Sequence, residues 1–331
     1  MRLMFVVTLC VTVAACSGSG SSPTAPDAPR VFEGQTVSAI DGTATGVVSI
    51  QIGNRFAVQT DADGNFHVDV GSPGTYAAVV TGRPVIERRT RVTGPTAERT
   101  KIALIPAAFD LDAFDEMFRS ANNRLQRWTE RPSLVVLGSV MRYRTGERDE
   151  YEATSEQLSD AETAAFVSHL DEGLALLTGG TYTSFASVVI ERPQPGQQVN
   201  VRRARTIVAG RYVGMLSFAS TIGYGAWAAQ PDGTVVGGAM WLDRDFDRDN
   251  AQRRLLRIHE LGHALGYNHV TKRASVMNPA IGPDPTEFDR AGALIAFQRP
   301  VGNTSPDTDP SGTARGFRST DGTARWSAPI P

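Results

Sequence analysis

The chain has 331 residues, 41% of them hydrophobic and 21% charged, with a formal net charge of -2. That length accommodates two ordinary domains with separate cores, and the near-neutral balance lacks the basic field that phosphate contacts require, so nucleic acid is not expected as a partner. Cys10 and Cys16 are the only cysteines, too few for a disulfide framework or a cysteine-built zinc finger, so any metal must be held by histidine or carboxylate.

Residues 1–15 have the layout of an export signal, with Arg2, an apolar run from Leu3 and small residues at Ala14 and Ala15. The run is shorter than the ~20 apolar residues that a membrane-spanning helix needs. Val13-Ala14-Ala15-Cys16 resembles a bacterial lipobox. The resemblance implies cleavage before Cys16, lipid on Cys16, and an exported protein that touches the membrane only through that lipid. Ser17 in place of Asp implies the outer membrane in a Gram-negative envelope. Residues 16–30, with the run SGSGSSPTAPDAPR after the cysteine, are too poor in apolar side chains to repay ordering and predict a flexible spacer.

From 31 to 106 the apolar pattern has period two. Val48, Ile50 and Ile52 alternate with polar neighbours, as do Phe66, Val68 and Val70 around His67 and Asp69, with a turn at Asp61 to Asn65. Short β-rich runs at Tyr76 to Val80 and Lys101 to Ile105 complete the pattern of a small all-β sandwich. Gly46 to Gly82, with its TDADGNF turn, resembles the carboxypeptidase regulatory-like domain, a transthyretin-type sandwich. The acidic turn lacks the further ligands of a calcium loop and reads as turn chemistry.

A second domain, of α+β class, is expected over 107–300. Phe114, Met117, Phe118, Ala121, Leu125 and Trp128 recur at helical spacing. Leu134 to Val140 reads as a strand, and Ser159 with Glu162 forms a capping box for a helix that stops at Gly179-Gly180. Strands are expected at Ala186 to Ile190, near Thr206 to Val213, and in a hairpin of Tyr224 to Ala229 and Thr234 to Leu242. A helix over Ala251 to Leu265 ends at Gly266, and another runs from Thr286 to Pro300. Residues 301–331 are rich in Gly, Ser, Thr, Pro and Asp, a composition that predicts disorder.

Residues 259–269 read HELGHALGYNH. Residues four apart share a helix face, so His259 and His263 can offer both imidazoles to one ion. Gly266 can end the helix with positive φ and turn the chain back, which lets His269 supply a third ligand. Three protein ligands leave a tetrahedral zinc one open position, as catalytic sites do. Glu260, beside the first ligand, is placed to act as general base.

This stretch resembles the metzincin clan of zinc metallopeptidases, and matrixins most closely. Ser275-Val276-Met277-Asn278-Pro279 resembles the Met-turn of that clan, with Met277 eight positions after His269. The resemblance implies a mixed sheet with long helices, one catalytic Zn2+, and Met277 as an apolar floor under the metal. It also implies a polypeptide substrate laid along an edge strand, here Thr234 to Leu242, where Gly237, Gly238 and Ala239 would admit its backbone. Two features depart from matrixins: Val270 follows the third histidine where Ser or Thr is usual, and no cysteine is free to cap the metal. Asp243, Asp245, Asp247 and Asp249 read as a solvated loop near a helix N-terminus. Structural Ca2+ is the other reading, without the glycine and bidentate glutamate of a calcium loop.

The activity expected from the resemblance is therefore zinc-dependent hydrolysis of peptide bonds. Two other readings stay open on the sequence: a zinc amidase or esterase acting on non-protein substrates, and a non-catalytic, zinc-stabilised lipoprotein that binds a partner through its β domain. No pattern sets an oligomeric state.

Overall fold

A computed structural model describes residues 31–96, 98–119, 123–143, 151–216, 220–311 and 323–331. The expected signal, the lipobox with Cys16 and the spacer lie outside them. No helix among the described residues is long and apolar enough to cross a membrane.

The first unit comprises β1 (Val31–Ser38), β2 (Ser49–Ile52), β3 (Phe56–Gln59), β4 (Asn65–Asp69), β5 (Gly74–Thr81), β6 (Arg88–Gly94) and β7 (Thr100–Leu104). They form two sheets, ordered β4-β1-β7 and β3-β2-β5-β6. Alternation sends Ile50, Ile52, Phe66, Val80, Val92 and Leu104 into one apolar cluster shared by both. The turn between β3 and β4 is tied internally. Asp61 accepts the amides of Asp63 and Asn65 at 2.9 and 2.8 Å and the Asn65 side chain at 3.1 Å. Its carboxylate thus serves the turn itself, and the turn presents no calcium site.

The second unit contains α1 (Leu111–Phe118), β8 (Arg127–Trp128), β9 (Ser133–Leu137), β10 (Ser139–Tyr143), β11 (Tyr151–Gln157), α2 (Asp160–Leu177), β12 (Val188–Glu191), β13 (Gln198–Val199) and β14 (Thr206–Tyr212). It continues with β15 (Gly223–Ala229), β16 (Thr234–Asp243), α3 (Arg244–Asp249), α4 (Arg253–Ala264), α5 (Glu287–Gln298) and β17 (Arg325–Trp326). Parallel pairing joins β12 to β9, β9 to β14, and β14 to β16, and β15 then runs antiparallel to β16. Beyond β15 lies β17. A mixed sheet with α2, α4 and α5 packed together on one face is the arrangement expected of a metzincin-like domain.

Each helix follows from local chemistry. The capping box at α2 is present, with the Ser159 and Glu162 side chains each bonded to the other residue's backbone, and Thr286 with Asp289 forms a second one at α5. Phe166, Leu170, Leu174 and Leu177 of α2 meet Ile258, Leu261 and Ala264 of α4 and Ile295 of α5 in one core. Gly173 permits the close approach, since a Cβ there would stand 3.0 Å from the Leu261 side chain.

Three expectations are corrected. The helical spacing from Phe114 to Trp128 ends with α1 at Phe118, and Leu125 and Trp128 reach the same core from a loop and from β8. The aspartate run is solvated only at Asp245 and Asp249, and Asp243 and Asp247 are buried. Asp243 caps α3 by accepting the amides of Asp245 and Phe246, and Asp247 is fully buried between Arg211 and Arg257. With their oxygens so engaged, the acids do not support calcium.

Residues 301–311 are not disordered. They fold against β6, where Arg89 and Asp307 share backbone hydrogen bonds through Arg89 N–H, and Asp309 N–H returns to Arg89 at 2.8 Å. Buried Asp307 accepts from Arg88 at 2.9 Å and from Arg299 at 2.8 Å through each of its oxygens. Composition fails here because long-range ion pairs, and not apolar burial, order the segment. Ala39 and Ile105 of the first unit also join the second unit's core, so the two units share packing.

Candidate metal centre

Helix α4 carries Arg257 to His263 across a fully buried stretch, with its interior side set by Ile258, Leu261 and Ala264. His259 and His263 fall one turn apart and point the same way. Gly266, at φ 105°, breaks the helix behind them. The Tyr267 amide closes on the Gly262 carbonyl at 3.0 Å, and the chain reverses to bring His269 back.

The three Nε2 atoms converge. They lie 3.1 Å apart for His263–His259, 3.1 Å for His263–His269 and 3.3 Å for His269–His259. Ligand nitrogens ~2.0–2.1 Å from a tetrahedral zinc would be separated by about 3.3–3.4 Å, so the triangle fits that ion closely. Tautomers agree. The Nδ1 of His259 meets the Val276 carbonyl at 2.8 Å and the Nδ1 of His263 meets the Tyr267 carbonyl at 2.7 Å. A carbonyl can only accept, so these Nδ1 atoms carry the protons, and both Nε2 atoms present bare lone pairs to one point. Acceptors converging in this way could hold a metal ion between them.

Electrostatics favours the same conclusion. Burial pushes His259 down to about 4, partly countered by its bond to Val276, and burial with the nearby His259 ring pushes His263 well below the usual imidazole range. Burial also lowers His269. Neutral imidazole is the form a metal binds. Glu260 is 1% exposed, its Oε2 has no hydrogen-bond partner among the described residues, and burial raises its carboxyl well above the normal range. A buried carboxyl oxygen without a partner, next in the chain to a ligand, leaves a polar position to be filled by solvent or substrate.

Met277 is fully buried against α4, where a Cβ at Gly262 would come 2.8 Å from its Cε. Its turn is held from both sides. Asn278 donates to the Val270 and Arg273 carbonyls, and Val270 N–H reaches the Met277 carbonyl at 2.9 Å. Buried Asp289 accepts from Ser275 Oγ at 2.5 Å and from the Val276 amide at 3.2 Å. Asp289 thereby fixes the residue whose carbonyl orients His259.

The glycines assigned to substrate contact are placed differently. β16 is interior, flanked by β14 and β15, so Gly237, Gly238 and Ala239 line no free edge. At Gly238 a Cβ would stand 2.7 Å from the Ala264 carbonyl, so this glycine seats the end of α4. The strand bordering the metal centre is β15. A Cβ at Gly223 would lie 2.7 Å from Glu260 Cδ, and one at Gly225 would lie 2.7 Å from the Glu260 carbonyl. Sequence reading missed these two and Asp289. The Gly-x-Gly alternation opening β15 was the available signal, and the capping box at Thr286 was the signal for Asp289.

No curated protein matches the chain. The matrixin family model matches residues 208–291, a span from within β14 into α5 that contains the three histidines, Glu260 and Met277. That match, together with the three-histidine cluster, supports a matrixin-like domain with zinc metallopeptidase-type chemistry.

Proposed function

We propose that the chain is a zinc-dependent endopeptidase, exported and tethered to the cell envelope by lipid on Cys16, with Glu260 as its general base. The observation that carries the reading is the convergence of three Nε2 atoms within 3.3 Å beside a buried carboxyl with an oxygen to spare. His259, His263 and His269 would hold the metal. When bound, zinc supplies Lewis acidity toward a carbonyl and lowers the pKa of water toward ~7.

The remaining work falls to this chain's residues. Glu260 accepts a proton at its unpaired oxygen and delivers it to the departing amine, a dual role suited to a carboxyl whose buried setting raises its pKa. Val276 and Tyr267 keep the imidazoles oriented through their carbonyls. An extended polypeptide would be held along β15 by backbone hydrogen bonds, the mode in which a strand adds to a sheet edge. Residues 31–106 serve in this reading as a carboxypeptidase regulatory-like accessory module.

The test uses the purified chain and its Glu260→Gln variant, with bound zinc and peptide-library cleavage both measured. About one zinc per chain in both proteins is expected, with cleavage reduced about 10²–10⁴-fold in the variant alone. Equal cleavage by the two proteins would remove Glu260 from its role, and failure of the wild type to bind zinc at neutral pH would end the peptidase reading.

A further inference from the structure

The outer edge of β15 is already taken. Residues 323–331 lie along it in the antiparallel sense, with Ala229 opposite Arg325, Ala228 opposite Trp326 and Gly225 opposite Ile330. The ladder uses both kinds of backbone group. Ser327 N–H donates to Trp227 O at 2.8 Å while Trp227 N–H donates to Ser327 Oγ at 3.1 Å, and Ile330 and Gly225 exchange bonds of 2.8 and 3.0 Å. Side chains add to this. Trp326 packs against the aromatic cluster behind the sheet, 3.2 Å from where a Gly237 Cβ would stand and under the Arg202 guanidinium at 5.6 Å. Ile330 packs against the core that contains α4.

The position of this segment matters more than its presence. Gly225, which pairs with Ile330, is the residue pressed against the backbone of Glu260 and the side chain of His263. The segment therefore passes the catalytic helix at the level of the proposed general base. A polypeptide adding to β15 would need the same amides and carbonyls of Gly225 and Trp227. Each can be used once.

We propose that residues 323–331 act as a built-in substrate mimic, filling a peptide site on the edge of β15 that takes an extended segment with an aromatic and an aliphatic residue four apart, and so hold the enzyme latent. The inference rests on the peptidase reading above. It supplies a closure that needs no cysteine, which agrees with the absence of one beyond Cys16. A tethered segment acts at an effective concentration of about 1 mM, so a strand that binds with Kd near ~0.1 mM would weaken a competing peptide about tenfold.

The test compares the full chain with two variants, Ser327→Pro/Ile330→Pro, which deletes the amides that donate to Trp227 and Gly225, and Trp326→Ala, which removes its aromatic anchor. The probe is a fluorescent peptide with the sequence of residues 323–331, titrated into metal-free protein while amide exchange is followed at Gly225 and Trp227. Both variants should bind the probe about tenfold more tightly than wild type and exchange those amides faster. A probe with Ala at both the Trp326 and Ile330 positions should not bind. With zinc added, both variants should cleave a peptide library about tenfold faster than wild type, and added probe should reverse the gain.

Fast exchange at Gly225 and Trp227 in the wild type, or equal probe affinity in all three proteins, would overturn the docking. Slow exchange in the wild type with equal cleavage by all three would overturn the inhibitory role while leaving the peptidase reading intact. No cleavage by any protein, despite bound zinc and the expected exchange pattern, would overturn that reading and reduce the segment to a structural strand.

Discussion

His259 and His263 are buried where each would prefer to be neutral, which makes stability fall as pH falls; Glu260, whose carboxyl is raised by burial, works in the opposite direction and offsets about one histidine's share. The unfolded chain protonates its histidines below pH ~6.5, whereas burial holds His259 at about 4 and His263 well below 6.5. Below pH 6.5 the unfolded state thus binds more protons, and stability falls as pH falls, by about 1.4 kcal/mol per pH unit for each such histidine until its folded pKa is reached. The loss for His259 is spread between about 6.5 and about 4. Denaturant titration of metal-free protein at pH 7, 6 and 5 should show the midpoint dropping stepwise, before most carboxylates titrate. A flat profile would mean that these rings are solvated. The ligand set was legible in the sequence because helical spacing and a glycine break are local facts. Gly223 and Gly225 showed in the sequence only as a Gly-x-Gly alternation without a stated cause, because their reason for being small lies in α4, more than thirty residues further along the chain.

The turn carrying Met277 and the start of α5 behave as one element. Asp289 is the third helical residue of α5, closes the capping box with Thr286, and extends the same carboxylate to Ser275 and Val276. Asp289→Ala would leave the Val276 amide and the Ser275 hydroxyl unpaired in the interior and free the carbonyl that orients His259. Zinc affinity should fall about 10- to 100-fold, as loss of an outer partner does at such sites, measured by competition with a chelator of known affinity. Unchanged affinity would show that the turn holds its shape without the carboxylate. Elements with their own start signals were readable, including both capped helices and the hairpin of β15 and β16. Sheet order was not. β16 precedes the active helix in sequence and so invited the role of edge strand, but pairing with β14 on one side and β15 on the other makes it interior. Periodicity sets which face a strand buries and says nothing about which neighbours it acquires.

At the scale of the whole molecule, the segment after α5 clamps the two units together. Arg88 comes from β6, Arg299 from the end of α5, and both converge on Asp307, with Asn303 adding a fourth side chain at 3.1 Å. Burial alone would raise the Asp307 carboxyl, but Arg299 and Arg88 overcome it and hold it below its ordinary value. Asp307→Ala would leave buried Arg299 without its carboxylate and Arg88 with Asp309 alone, and should destabilise the protein by about 3–5 kcal/mol. Calorimetry should then resolve two transitions where the wild type gives one. A single transition at unchanged temperature would show that the shared packing of Ala39 and Ile105 suffices. Composition could not foresee this clamp, since its partners lie 219 residues apart in the chain.

A module joined by such a clamp has little freedom to roam as a bait would on a leash. Whatever surface β1 to β7 offers is held at one angle and one distance from the three-histidine cluster. On the peptidase reading proposed above, reach and bearing would be built into the molecule, and a cleavage point would be chosen by how far it lies from the place first gripped.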